Sequence, residues 1–146
     1  MRIAVLNGPN LNLLGIREPE IYGRETLAHV ESALRLAAKE LGVELEFAQT
    51  NGEGEMVDLV QGLRGRVDGA LINAGAYSHT SLAIRDAFLS VSVPYVEVHI
   101  SNIFAREPER RQTVLASGAV AVLCGFGTRG YELALRGLVA KLGARG

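Results

Sequence analysis

Apolar and polar positions along this chain follow two rhythms that alternate from end to end. Arg2–Leu6 is a short apolar run, and Val43–Phe47 sets Val43, Leu45 and Phe47 against Glu44 and Glu46. A period of two predicts a half-buried strand. Ala70–Ile72 and Tyr95–Val98 are brief apolar runs, and Ala119–Leu123 is a continuous one. Continuous runs suit strands covered on both faces. Between the runs, apolar residues recur at helical spacing. Leu27, Val30, Leu34, Ala37 and Leu41 share one face, with Gly42 as a natural stop. Met56, Leu59, Val60, Leu63 and Val67 form a second stripe, and Ala83, Ile84, Ala87 and Phe88 a third. Tyr131, Leu135, Leu138, Val139 and Leu142 form a fourth.

Strand–helix alternation predicts a parallel sheet with right-handed crossovers and helices on both faces. Five strands in 146 residues fit an α/β flavodoxin-like doubly wound fold with strand order 2-1-3-4-5. No repeat or second domain interrupts the pattern, so residues 1–146 read as one domain. From Asn7 to Arg24 neither period is present, and Gly8, Pro9, Gly15, Pro19 and Gly23 punctuate the segment. Loops of this length in compact domains are chiefly lids or binding loops, so a lid is expected at about residues 8–24.

Composition narrows the function classes. Hydrophobic residues make up 48% and charged residues 21%, as in a globular chain. Fifteen Lys and Arg against sixteen Asp and Glu leave a net charge of −1, which offers no basic field for nucleic acid and no polybasic membrane patch. The longest apolar run, about six residues, is far short of the roughly 20 a membrane helix needs. A strand pattern beginning at Arg2 leaves no room for a secretion signal. The single cysteine fits a reducing compartment, so a cytoplasmic protein is expected.

In open α/β sheets, ligands bind beyond the carboxyl ends of the strands. Asn7, Gly8, Pro9, Asn10 and Asn12 follow the first strand, and Asn73 to Ser81, including Ser78 and His79, follow the third. Glu97, His99, Ser101 and Asn102 lie at the end of the fourth. Two of the three histidines fall in this set, which reads as a neutral, polar cluster suited to a small hydroxylated ligand. His29 sits off the apolar face of the first helix and reads as a solvated surface residue. No His-x-x-x-His or Cys-x-x-Cys pair suggests a metal, and no Walker loop is present. Gly125-Phe126-Gly127-Thr128-Arg129-Gly130 matches GxGxxG, but it precedes the last helix, with no strand after it; tight helix packing is its expected role. Cys124 reads as core. The only lysines, Lys39 and Lys141, lie on helices away from the cluster, which disfavours Schiff-base chemistry. Acid–base work by tyrosine and histidine remains. A free phenol titrates at about 10, and a guanidinium beside it favours the phenolate. Arg17 and Tyr22 share the expected lid, and His99 could act as the opposing acid. A noncatalytic module binding nucleotide or flavin, and a hydrolase using Ser101 or Ser78, stay open as alternatives.

Three blocks of sequence carry a resemblance. Asn7-Gly8-Pro9-Asn10-Leu11-Asn12, then Leu14-Gly15-Ile16-Arg17-Glu18-Pro19 and Tyr22-Gly23, form the first. Asn73 to Ser81 with Arg85-Asp86-Ala87 form the second. Glu97-Val98-His99-Ile100-Ser101-Asn102-Ile103 and Ala105-Arg106-Glu107 form the third. Together they resemble the type II 3-dehydroquinate dehydratases. The resemblance implies anti elimination of water from 3-dehydroquinate through an enolate, giving 3-dehydroshikimate in the shikimate route to aromatic amino acids, without metal or cofactor. It implies that Tyr22 removes the proton, Arg17 keeps the phenol ionised, and Asn10 holds a water against the enolate. His99 would protonate the departing hydroxyl and Glu97 would orient His99. Ile100 and Ser101 would take the substrate carboxylate through backbone N–H groups, and Asn73, His79 and Arg110 the hydroxyls and ring. Arg106 would be a second lid contact. Asp86 would reach the site of a neighbouring subunit in a homo-oligomer, a dodecamer built from trimers.

Three positions depart from the family's usual pattern. Phe104 stands where histidine is common, Glu109 where an aromatic is common, and Ala74 where proline is common. None replaces a residue given a chemical role, although Glu109 adjoins Arg110.

Overall fold

A computed structural model describes residues 1–145. Five strands, β1 (Arg2–Asn7), β2 (Glu44–Gln49), β3 (Gly69–Asn73), β4 (Tyr95–His99) and β5 (Ala121–Cys124), form one parallel sheet in the order β2-β1-β3-β4-β5. This is the flavodoxin-like order expected from the alternation. The helices are α1 (Pro19–Tyr22), α2 (Leu27–Leu41), α3 (Glu53–Gln61), α4 (Leu82–Val91) and α5 (Arg129–Arg145).

Alternation along the strands divides the core into two layers. Ile3, Val5, Leu71, Val96 and Val98 meet Val30 and Leu34 of α2 and Tyr131, Leu135 and Leu138 of α5. Ala4, Leu6, Ala70, Ile72 and Tyr95 meet Met56 and Val60 of α3 and Ile84 and Phe88 of α4 on the other face. Glu97 and His99 are two and four residues past Tyr95, so the pleat aims both toward the α3–α4 side at the carboxyl end of β4.

Local signals explain the helix ends. Thr26 accepts the His29 N–H at 3.3 Å, and Nδ1 of His29 accepts the Thr26 N–H at 3.1 Å. This is a capping box with an imidazole in the place of the usual Glu or Gln. His29 is exposed, as expected, yet it caps α2 rather than standing free. Gly42 ends α2 at φ 69°, a left-handed conformation that glycine adopts without penalty.

Four readings need correction. The second helical stripe outruns its helix: α3 stops at Gln61, and Leu63 and Val67 pack from the turns that follow. β5 is an edge strand with Ala121 and Val122 exposed, because it pairs with β4 alone. Cys124, at its end, is partly exposed and not core. The segment at 8–24 is not irregular throughout: Leu11–Leu13 form a 3-10 turn, Pro19–Tyr22 form α1, and Leu11 and Leu14 are buried in the α2–α5 layer.

Candidate active site

The carboxyl ends of β1, β3 and β4 open into a cleft, the place where open α/β sheets bind their ligands. Asn10, Arg17, Tyr22, Asn73, His79, His99, Ile100, Ser101, Arg106 and Arg110 all line it. Of the residues to which the resemblance gives a role, Glu97 and Asp86 do not; Asn7, Gly8, Asn12, Ser78 and Asn102 of the strand-end set also lie outside the lining. Three guanidinium groups and two imidazoles face this space, and among the described residues no carboxylate lines it. The cluster is therefore cationic rather than neutral as the sequence suggested: the 8–24 segment brings in Arg17, and the turns after β4 bring in Arg106 and Arg110. A chain of net charge −1 thus concentrates positive charge where an anion would bind.

β4 supplies a carboxylate–imidazole pair. Glu97 is fully buried and its Oε2 meets Nε2 of His99, which is itself 5% exposed. The other carboxylate oxygen, Oε1, accepts the Thr113 hydroxyl at 2.9 Å. A buried carboxylate requires such partners. The rings of His79 and His99 lie roughly parallel with centroids 6.0 Å apart. Nδ1 of His79 is 2.6 Å from the Gln112 carbonyl. A carbonyl only accepts, so this nitrogen carries the hydrogen and Nε2 of a neutral His79 is left as an acceptor.

Two arginines pack against Tyr22. The Arg17 guanidinium sits 4.7 Å from the centroid of the Tyr22 ring and that of Arg106 5.3 Å. Arg106 also donates to the phenol oxygen at 2.7 Å, so Arg106, not Arg17, makes the direct hydrogen bond. Glu107 pairs with Arg110 through Nε and lies 3.7 Å from Nη2 of Arg106. Its carboxyl is held below the usual carboxylate range, first by its own backbone N–H and then by Arg110. The same bond to Glu107 raises the Arg110 guanidinium above its ordinary value. The neighbouring Glu109 does not keep Arg110 out of the cavity.

The floor is tied together across the whole chain. Tyr131 donates to Asn7 Oδ1 at 2.6 Å and accepts from Asn73 Nδ2 at 2.9 Å, and Asn73 Oδ1 accepts the Gly75 N–H at 3.2 Å. Burial pushes the Tyr131 phenol well above its ordinary value, so it remains a neutral donor. Asn10 adopts a left-handed conformation at φ 70°, its N–H donating to Asn51 Oδ1 at 3.0 Å. The glycine run after β5 buckles the end of β4: Gly125 and Gly127 donate to the carbonyls of His99 and Ile100 at 3.3 and 3.0 Å. The N–H groups of Ile100 and Ser101 have no acceptor among the described residues. A Cβ at Gly130 would lie 3.0 Å from Leu123, consistent with helix packing there. The run is used inside the fold, which leaves the nucleotide alternative without its motif.

The hydrolase alternative lacks its geometry. Among the described residues, Ser101 Oγ meets Arg106 at 3.5 Å with no histidine as partner, and the buried Ser78 Oγ has no partner. Among the described residues no group of three or more His, Cys, Asp or Glu could hold a metal, and no helix is long and apolar enough to cross a membrane. Thr113, Tyr131 and Asn51 were not singled out as site residues in the sequence. Their partners lie far along the chain, and no local motif signals them.

Comparison with known proteins decides the family. The family model for dehydroquinase class II matches residues 1–139. The chain belongs to the class II dehydroquinase family. A relative from Gemmatimonas aurantiaca named 3-dehydroquinate dehydratase is 57% identical over 142 residues, covering 97% of this chain and 93% of the relative. One of the same name from Prochlorococcus marinus is 54% identical, covering 97% and 98%. Among solved structures, the type II dehydroquinase of Propionibacterium acnes superposes with a TM-score of 0.91 at 41% identity, covering 95% of this chain and 96% of that one. That of Butyrivibrio crossotus gives 0.92 at 43%, covering 94% and 97%. The class II dehydroquinase fold and the strand order read from the sequence therefore agree.

Proposed function

We propose that this chain is a hydro-lyase that removes water from 3-dehydroquinate to give 3-dehydroshikimate, a step of the shikimate route to aromatic amino acids. The observation that carries the reading is the carboxylate-free, cationic cavity in which Tyr22, beneath two guanidinium groups, and His99, backed by buried Glu97, face the same space. The activity named for relatives at 54–57% identity supports the substrate.

Tyr22 takes the proton from the carbon beside the ketone, and the C–H electron pair becomes the enolate. Arg17 and Arg106 stabilise the charge on the phenol oxygen before the transfer, and Asn10 holds a water against the enolate oxygen. His99 gives its proton to the departing hydroxyl as the C–O bond breaks; the enolate collapses to the conjugated ketone and water leaves. Tyr22 ends protonated and His99 deprotonated, and exchange with solvent resets both. The free N–H groups of Ile100 and Ser101 take the substrate carboxylate, and Asn73, His79 and Arg110 take hydroxyls and ring. The segment at 8–24 acts as the lid.

Asp86 is exposed on α4, flanked on the same helical face by Leu82 and Leu89, at 51% and 59% exposure. An apolar stripe around an acidic residue suits a neighbouring copy, and supports an oligomer, a dodecamer of trimers, in which Asp86 reaches the next site. The protein is cytoplasmic in this reading.

Ultraviolet absorbance on mixing purified protein with 3-dehydroquinate tests the activity, because the product is a conjugated enone carboxylate. The absorbance should rise, and should still rise after chelation and after borohydride treatment with substrate. A flat trace from folded protein would overturn the assignment.

A further inference from the structure

We propose that Thr113 is a positioning residue for His99, acting through Glu97; the inference rests on reading His99 as the acid of the dehydration. Glu97 belongs to the strand face that also carries Tyr95, and its carboxylate is fully buried against the α3–α4 layer. Among the described residues that carboxylate has two polar partners, His99 and the Thr113 hydroxyl, and no lysine or arginine reaches it. The hydroxyl has only one direction open to it. Oγ1 of Thr113 accepts the Leu115 N–H at 3.1 Å, so its single hydrogen is committed to Glu97. The segment itself is fixed on both sides: Val114 donates its N–H to the Ser78 carbonyl at 2.8 Å, and the Gln112 carbonyl takes the hydrogen of His79.

A buried carboxylate stays charged only while donors face it. Without the Thr113 hydroxyl, one oxygen of the buried Glu97 carboxylate loses its partner, and the carboxylate no longer holds the His99 ring with its other nitrogen toward the cavity. Thr113 does not line the cavity, so substrate binding should be spared.

The test compares kcat and KM for 3-dehydroquinate in full-length wild type, Thr113→Val, Thr113→Ser, Glu97→Gln, His99→Asn and the Thr113→Val/Glu97→Gln double variant. Thr113→Val should lower kcat about 10- to 100-fold with KM within about twofold, the size expected for losing a hydrogen bond to a charged group. Thr113→Ser should restore most of the rate. On the Glu97→Gln background the valine should cost less than about threefold more, because both changes break one network. An unchanged kcat in Thr113→Val, a loss that serine does not rescue, or a loss that multiplies in full with that of Glu97→Gln overturns the proposal. Should the valine variant not fold, Thr113→Ala carries the same comparison. If His99→Asn leaves kcat unchanged, the acid assignment itself fails; if His99→Asn and Glu97→Gln collapse kcat while Thr113→Val does not, only the role of Thr113 falls.

Discussion

Asn73, Glu97 and His99, at the ends of β3 and β4, are at most 5% exposed, and each is tied by side-chain bonds to its surroundings. Arg17 and Tyr22 ride instead on a stretch that turns left-handed at Gly15, Glu18 and Gly23. Side-chain hydrogen bonds join that stretch to the rest of the fold at Tyr22–Arg106 and at Glu25–Thr128, both 2.7 Å. The buried floor fixes where His99, the proposed acid, stands, while the overlying segment carries Tyr22, the proposed base, to a place that few bonds define. Glu18 holds a left-handed conformation at φ 40° that side-chain-bearing residues rarely adopt, which is strain of the kind found where binding segments are shaped by their contacts.

Separating the two regions starts with the base. Tyr22→Phe removes one oxygen from the segment and should lower kcat about 100- to 10,000-fold, while calorimetric affinity for substrate stays near that of wild type. Near-normal turnover would take Tyr22 out of the chemistry. Arg106→Ala cuts the direct bond between the two regions. It should lower kcat/KM about 10- to 100-fold in steady-state assays, with a smaller deficit in Arg106→Lys, which keeps the charge but not the forked donor geometry.

The floor was largely legible in the sequence, and the reason is geometric. Strand alternation located the ends of β1, β3 and β4, and polar residues just past a strand end must face the same rim. Arg106 and Arg110 were flagged only by the resemblance, because turns after a strand carry no period. Thr113, and the Tyr131–Asn7–Asn73 network, join positions with nothing local to announce them. The same limit produced the misreading of how deeply β5 is buried: an apolar edge strand has the pattern of one covered on both faces, although the expected strand order already set it at the edge. Leu63 and Val67 kept helical spacing beyond α3 because buried turns can share it.

Smaller effects probe the floor alone. Tyr131→Phe strands Asn7 Oδ1 and Asn73 Nδ2 in a buried site and should cost about 2 kcal/mol in denaturant unfolding, with a raised KM as Asn73 loosens. Unaltered stability would show the network to be dispensable. The smallest effect concerns alkali. Burial pushes the Tyr95 phenol up to about 12, with the Glu97 charge as the next cause. A folded value above the unfolded one of about 10 gives stability that is complete below that pH and lost as pH rises toward about 12. Absorbance titration should therefore show Tyr95 and Tyr131 ionising only as the fold is lost, whereas their early ionisation in folded protein would contradict their burial.

The division of labour between segment and floor is tested most directly by proton exchange without elimination. In deuterium oxide, a His99→Asn variant that cannot expel the hydroxyl should still place deuterium on the carbon beside the ketone of 3-dehydroquinate, followed by proton NMR against an enzyme-free control. Adding Tyr22→Phe should return that exchange to the control rate. Exchange that persists without the tyrosine, or is absent while Tyr22 and the cavity arginines are intact, would contradict the assignment of base to the segment and acid to the floor.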